Sequence, residues 1–234
     1  MPAAAERRLR RICDALAGPS ATRCTMMAAG TAAEPAPLTV AQLVLGCGFN
    51  KPDPATDQLA VVPHAQAVAT VHAALRLGIR ALDTAPLYGS GRSEEWIGDA
   101  LAMPPLGVEL ADLQIWSKVG VVVRRADQPD VAAPPLPLGY GGARASVRDY
   151  SRAMARRGLA ESLGRLRLPA GLALAGLRVH GPNRSDRVTV SGRMVEAVAV
   201  DGTEQALGAE DGILGGLAEL RAEGAIGEVG LGLQ

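Results

Sequence analysis

Between residues 43 and 231 the sequence alternates short apolar runs with stretches of helical periodicity, in regular order. The runs lie at 43–45, 79–83, 113–123, 172–179 and 226–231. Four helical patterns separate them. Residues 63–77 place Val68, Val71 and Leu75 on one face, and Gly78 suits the C-terminal cap. Ser93 is placed to cap a helix running to about residue 101, with Glu94 and Glu95 at its positive end. Asp149 or Ser151 opens the third, with Leu159, Leu163 and Leu166 on one face. Residues 209–223 form the fourth, using Ile213, Leu217 and Leu220. Strands alternating with helices mean βαβ units and a parallel sheet, so the fold class is α/β.

Two architectures use such units. An open nucleotide-binding sheet usually carries a Gly-rich turn after its first strand. Gly46-Cys47-Gly48 lacks the third glycine, and Pro52 and Pro54 follow it. A barrel instead sets its chemistry at the C-terminal ends of successive strands. Asp83, Lys118 and His180 each stand at such an end, just before a turn. The expectation is a (β/α)8 TIM barrel, of which the chain holds about the first five βα units. Residues 187–200 read as two β-prone runs joined at Ser191-Gly192, either a hairpin over the strand ends or an irregular insertion. Residues 128–143 form a Pro/Gly-rich loop.

The first 38 residues differ in kind. They carry Arg7, Arg8, Arg10, Arg11 and Arg23 against Glu6, Asp14 and Glu34, in an Ala-rich background. Such a stretch is a disordered leader or an organelle transit peptide; Met26 or Met27 as the true start is the other reading. The incomplete barrel then occupies 39–234. A formal net charge of zero argues against nucleic acid or an anionic membrane as partner. No apolar run is long enough to span a bilayer. Cys13, Cys24 and Cys47 have no metal-ligand spacing, and their odd number fits a reducing compartment. The expected location is the cytoplasm, or a plastid or mitochondrion if the leader is a transit peptide.

Alternation puts Ile79, Ala81 and Asp83 on one strand face, so in a barrel Asp83 sits at the mouth. Lys118 and His180 arrive from neighbouring strands, and Tyr88 hangs over the mouth from a Gly-flanked turn. A free phenol has a pKa near ~10, too high for a base at neutral pH. A neighbouring ammonium favours its phenolate, and a carboxylate holds that ammonium charged. Such a group exchanges a proton at an oxygen while something else moves a hydride. Alternation also sends Arg178 to the face of His180, a second interior cation that is costly unless paired.

Asp83, Tyr88, Lys118 and His180 resemble the tetrad of the aldo-keto reductases. GIRALDTAPLYGSGRSEEWIGDAL resembles that family's first signature, WSKVG its lysine motif and LRAEGAIGEVGLG its helix-four to strand-five region. DTAPLYGSGRSE, SKVG, the helix near Tyr150 and GLGLQ are most similar to the aldose 1-dehydrogenase branch, which includes fucose, threo-aldose and galactose dehydrogenases and pyridoxal dehydrogenase. The resemblance implies an oxidoreductase using NADP or NAD. It would oxidise an aldose at the anomeric carbon to a lactone, or reduce a small carbonyl. Tyr88 would be the acid/base, Lys118 its tuner, Asp83 the anchor of Lys118, and His180 the group orienting the substrate oxygen. Gly48, Asp83 and Gln234 would contact the cofactor, Gln234 standing where the family commonly has Asn. The family's acid after the histidine is absent, since Gly181, Pro182 and Asn183 follow His180. The resemblance places the nicotinamide-stacking aromatic and the adenosine-phosphate loop in strands six to eight, so weak cofactor binding is expected of this chain. The alternative is a non-catalytic barrel serving as a binding remnant, or an inert gene-model fragment.

Overall fold

The computed structural model describes residues 39–53, 58–105, 107–125, 144–168, 172–181, 187–190, 193–196 and 211–232. The leader, the 128–143 loop, Cys13, Cys24, Pro182, Asn183 and Gln234 lie outside the described residues. Five strands form one sheet: β1 (Val44–Gly46), β2 (Ala81–Asp83), β3 (Gln114–Val119), β4 (Gly176–His180) and β5 (Glu228–Gly232). They are hydrogen-bonded in chain order, and every pairing is parallel. An open doubly wound sheet reverses its strand order at a switch point. This sheet has no reversal, which is the order of consecutive units in a (β/α)8 barrel.

The crossovers contain helices α1 (His64–Arg76), α2 (Arg92–Ala102), α3 (Arg152–Leu166) and α4 (Ile213–Ala222). Right-handed crossovers between strands in unbroken order put every helix on one face. Neighbouring helices accordingly pack in series, α1 on α2, α2 on α3 and α3 on α4. Leu82, Ile115, Leu177 and Val179 are fully buried on alternate strand positions, as are Ile97, Leu166, Ile213 and Leu217 on the helices. Each such side chain contributes about 1.5–3 kcal/mol through removal from water. The intervening strand positions carry Asp83, Lys118, Arg178 and His180, so the opposite face of the sheet is polar.

Several local expectations are corrected. The 113–123 run is two strands, because the chain turns at Gly120 (φ 96°). Val121–Arg125 then pairs antiparallel with Arg144–Arg148. The fourth strand begins at Gly176, four residues later than the apolar run suggests. Asn50–Asp53, which contains Pro52, and Gln58–Val61 form a hairpin on which the sequence reading made no statement. A two-stranded ribbon has only edge strands, where proline is tolerated. Leu163 is 37% exposed and does not join Leu159 and Leu166 inside. Residues 187–200 do contain a hairpin, Arg187–Val190 against Arg193–Glu196. Hairpins thus follow β1, β3 and β4, all leaving from C-terminal strand ends.

The start of α2 is a further correction. Gly91 occupies the N-cap position and Ser93 caps nothing. Ser93 is buried and donates its hydroxyl hydrogen to the Cys47 carbonyl. Its oxygen then accepts from Thr84 Oγ1 at 2.7 Å. The helix start is therefore tied to the ends of β1 and β2, the end of the sheet that carries the polar groups.

Candidate active site

Asp83 is the last residue of β2, Lys118 the penultimate residue of β3 and His180 the last of β4. Parallel register brings these strand ends to one side of the sheet, since Asp83 aligns with Trp116, and Lys118 with Arg178. Tyr88 opens the 3₁₀ turn Tyr88–Gly91 between β2 and α2. The four residues expected to act together do meet. Lys118 Nζ forms an ion pair with Asp83 Oδ1 and donates to the Thr84 carbonyl at 3.0 Å. It also lies 4.8 Å from the centroid of the Tyr88 ring. The Tyr88 and His180 rings meet edge to face, with centroids 5.8 Å apart and planes at 82°. Lys118 is 6% exposed and His180 3%, so both are largely withdrawn from water. In that setting a charge interaction is stronger than at the surface, and Lys118 is paired as a buried charge must be.

Arg178 joins the same cluster. Its guanidinium forms an ion pair with the second oxygen of Asp83, so the interior cation is paired. Burial pulls Arg178 below its ordinary pKa, with the Glu228 charge opposing. The guanidinium carbon lies 4.2 Å from the Trp116 ring centroid. Alternation announced Arg178 as an interior residue. It could not announce the partner, which comes from two strands away.

Two further groups escaped the sequence reading. Tyr150 donates its hydroxyl hydrogen to the His180 carbonyl at 2.8 Å and accepts one from Arg148 Nη1 at 2.8 Å. Arg148 also donates to the Gly181 carbonyl at 3.1 Å. The backbone that carries His180 is thereby held by side chains from the segment before α3. Behind β3, Ser117 Oγ donates to Glu94 Oε1 at 2.6 Å and Arg165 Nε donates to Glu94 Oε2 at 2.6 Å. Glu94 stands in the first turn of α2, as its sequence position implies, but it is fully buried there. One carboxylate ties β3 to α2 and α3 directly behind Lys118.

Gly48 follows the Cys47 peptide, whose N–H donates to the Asp83 carbonyl at 2.8 Å. The Gly46–Gly48 bend therefore flanks the cluster. Among the described residues, no group of three His, Cys, Asp or Glu side chains could hold a metal ion. No described helix is long and apolar enough to cross a membrane.

Comparison with known proteins identifies the family. Residues 45–232 match the aldo/keto reductase family. An aldo-keto reductase from Pseudomonas aeruginosa is 26% identical at a TM-score of 0.50, over 85% of this chain and 58% of its own. A glycerol dehydrogenase from Gluconobacter oxydans is 26% identical at a TM-score of 0.48, over 82% of this chain and 44% of its own. An aldo-keto reductase from Bacillus halodurans is 22% identical at 0.49, over 82% and 46%. The chain spans about half the length of the solved structures it matches. No curated protein matches it. The family match covers most of the chain, including all four residues of the cluster, and the chain belongs to the aldo/keto reductase family.

Proposed function

We propose that this chain carries the proton-transfer site of an NAD(P)-dependent oxidoreductase that oxidises an aldose at its anomeric carbon to a lactone, or reduces a small carbonyl. The observation that supports it is the meeting of Asp83, Tyr88, Lys118 and His180 at adjacent strand ends. Tyr88 is the acid/base, since its hydroxyl can give or take the proton at the reacting oxygen. Lys118, over the Tyr88 ring, stabilises negative charge that develops on the phenol oxygen. Asp83 anchors Lys118. His180, its ring against that of Tyr88, orients the substrate oxygen.

The donor set suits the nicotinamide end of the cofactor, because a tyrosine–lysine pair handles the proton and leaves a hydride to be moved. When bound, NADP or NAD supplies or accepts that hydride. Gly48, Asp83 and Gln234 are the residues assigned to hold it.

The test is turnover with small aldehydes plus NADPH or NADH, and with aldoses plus the oxidised cofactors. Tyr88→Phe should lower turnover by about 100-fold or more while cofactor binding stays near the unmodified value. A variant that keeps more than a few per cent of turnover overturns the assignment. So does an unmodified chain with none in either direction.

A further inference from the structure

Asp83 has two oxygens and two cationic partners. Lys118 takes Oδ1 and Arg178 takes Oδ2. The aspartate–lysine pair belongs to the function proposed above, whereas that function asks nothing of Arg178. Yet Arg178 sits in a built place. Its guanidinium carbon lies over the Trp116 ring, 4.2 Å from the centroid. That ring occupies space β4 leaves at Gly176, where a Cβ would stand 2.9 Å from Trp116 Cε3. The arginine stem passes Gly230 of β5, where a Cβ would stand 3.3 Å from Arg178 Cγ. Three adjacent strands thus make room for one stacked tryptophan–arginine pair.

The consequence concerns rotation. The carboxylate torsion of aspartate is broad and two-fold, so one bound cation leaves the group able to swing. A second cation on the other oxygen removes that freedom. Arginine suits the task, because a planar guanidinium stacked on a ring presents its N–H groups in a fixed plane. We propose that Arg178 is a positioning residue: it locks the Asp83 carboxylate and thereby holds the Lys118 ammonium between Asp83, the Thr84 carbonyl and the Tyr88 ring. The meaning of that placement for catalysis rests on the proposed function; the placement itself is measured without turnover.

The chain has two lysines, Lys51 and Lys118, so side-chain ammonium signals are few. The experiment labels lysine with ¹⁵N and measures ammonium hydrogen exchange by NMR in the full 234-residue chain. Lys118→Arg assigns the signal. The unmodified chain should show one slowly exchanging ammonium at Lys118. Arg178→Met keeps bulk and removes the cation, and should speed exchange about tenfold, the weight of one charged hydrogen bond. Arg178→Lys should stay within about threefold of the unmodified chain, because its cation still reaches a carboxylate. The proposal is overturned by no slow signal in the unmodified chain, or by unchanged exchange in the Met variant. It also fails if the Lys variant exchanges as fast as the Met variant, since charge at 178 would then be irrelevant. Should Arg178→Met not fold, Trp116→Leu retains both cations and removes the stacking ring; unchanged Lys118 exchange there overturns the proposal too. Tyr88→Phe turnover, by contrast, judges the function alone.

Discussion

At the scale of single residues, the site is bounded by groups whose chemistry is suppressed. Cys47 lies directly beside the cluster, fully buried at the end of β1. Burial pushes its thiol from an ordinary 9.0 up to about 12, with the Lys118 charge opposing. The thiol therefore stays protonated and inert, because the thiolate is the nucleophile. Iodoacetamide at pH 8 should leave Cys47 unmodified in the folded chain and label it in denaturant, as peptide mass mapping will show. The sign of the linkage is definite. The folded state holds the proton more tightly, so this stabilising contribution is intact below pH 9.0 and lost as pH rises toward about 12. Denaturant midpoints measured across that range should fall; a Cys47→Ala variant should lose that part of the fall. Gly120 is the second sensitive position. Its φ is 96°, and a Cβ there would stand 2.6 Å from Tyr150 Cδ1. Gly120→Ala should cost about 3 kcal/mol from overpacking and backbone strain together. It should also displace the tyrosine that holds the His180 carbonyl. Calorimetry or denaturant unfolding checks the first effect. Lys118 itself was legible in a further way: the chain uses arginine nearly everywhere for positive charge, so a lysine at a strand end stands out.

At the scale of elements, the first turn of α2 bears more than its sequence suggests. Ser93 and Glu94 look like a cap and a dipole partner, yet both are buried in hydrogen bonds to strands. The reason is tertiary: α2 packs with its N-terminal turn on the sheet end, where strand groups compete for those side chains. Glu94 pairs with Arg165 of α3, and a carboxylate removed from a buried pair leaves an uncompensated cation. Glu94→Leu should therefore destabilise by about 3 kcal/mol or more. The double variant Glu94→Leu with Arg165→Met should recover much of that loss, because both charges leave together. Chemical denaturation of the three variants measures the coupling. An additive double variant would show that the two side chains do not act as a pair. Helix existence was readable from periodicity in all four cases; several boundaries were not, among them the start of β4 and the break at Gly120. The 113–123 run illustrates why. Its apolar residues continue across Gly120, but the chain there leaves one sheet and enters a hairpin. A run of valines carries no mark of which partner strand each residue will meet.

At the scale of the whole molecule, β1 and β5 are each hydrogen-bonded on one side only among the described strands. Val44 on β1 is 53% exposed. An apolar strand with a free edge is a template for another strand. The purified 234-residue chain is expected to associate as its concentration rises, by edge pairing. Sedimentation velocity over a concentration series checks this; a single unchanging monomer peak would show that both edges are protected. What the sequence by itself determined was the succession of βα units and the strand ends at which Asp83, Lys118 and His180 stand. Both follow from local causes, hydrophobic periodicity and turn residues, which act within a few positions. The tertiary structure alone decided the rest. That Asp83 serves two cations, that Tyr150 holds the carbonyl of His180 and that Glu94 is buried all depend on which strands and helices become neighbours. Those contacts join residues 23 to 95 positions apart, where no local pattern reaches and only strand register and helix packing bring the groups within bonding distance.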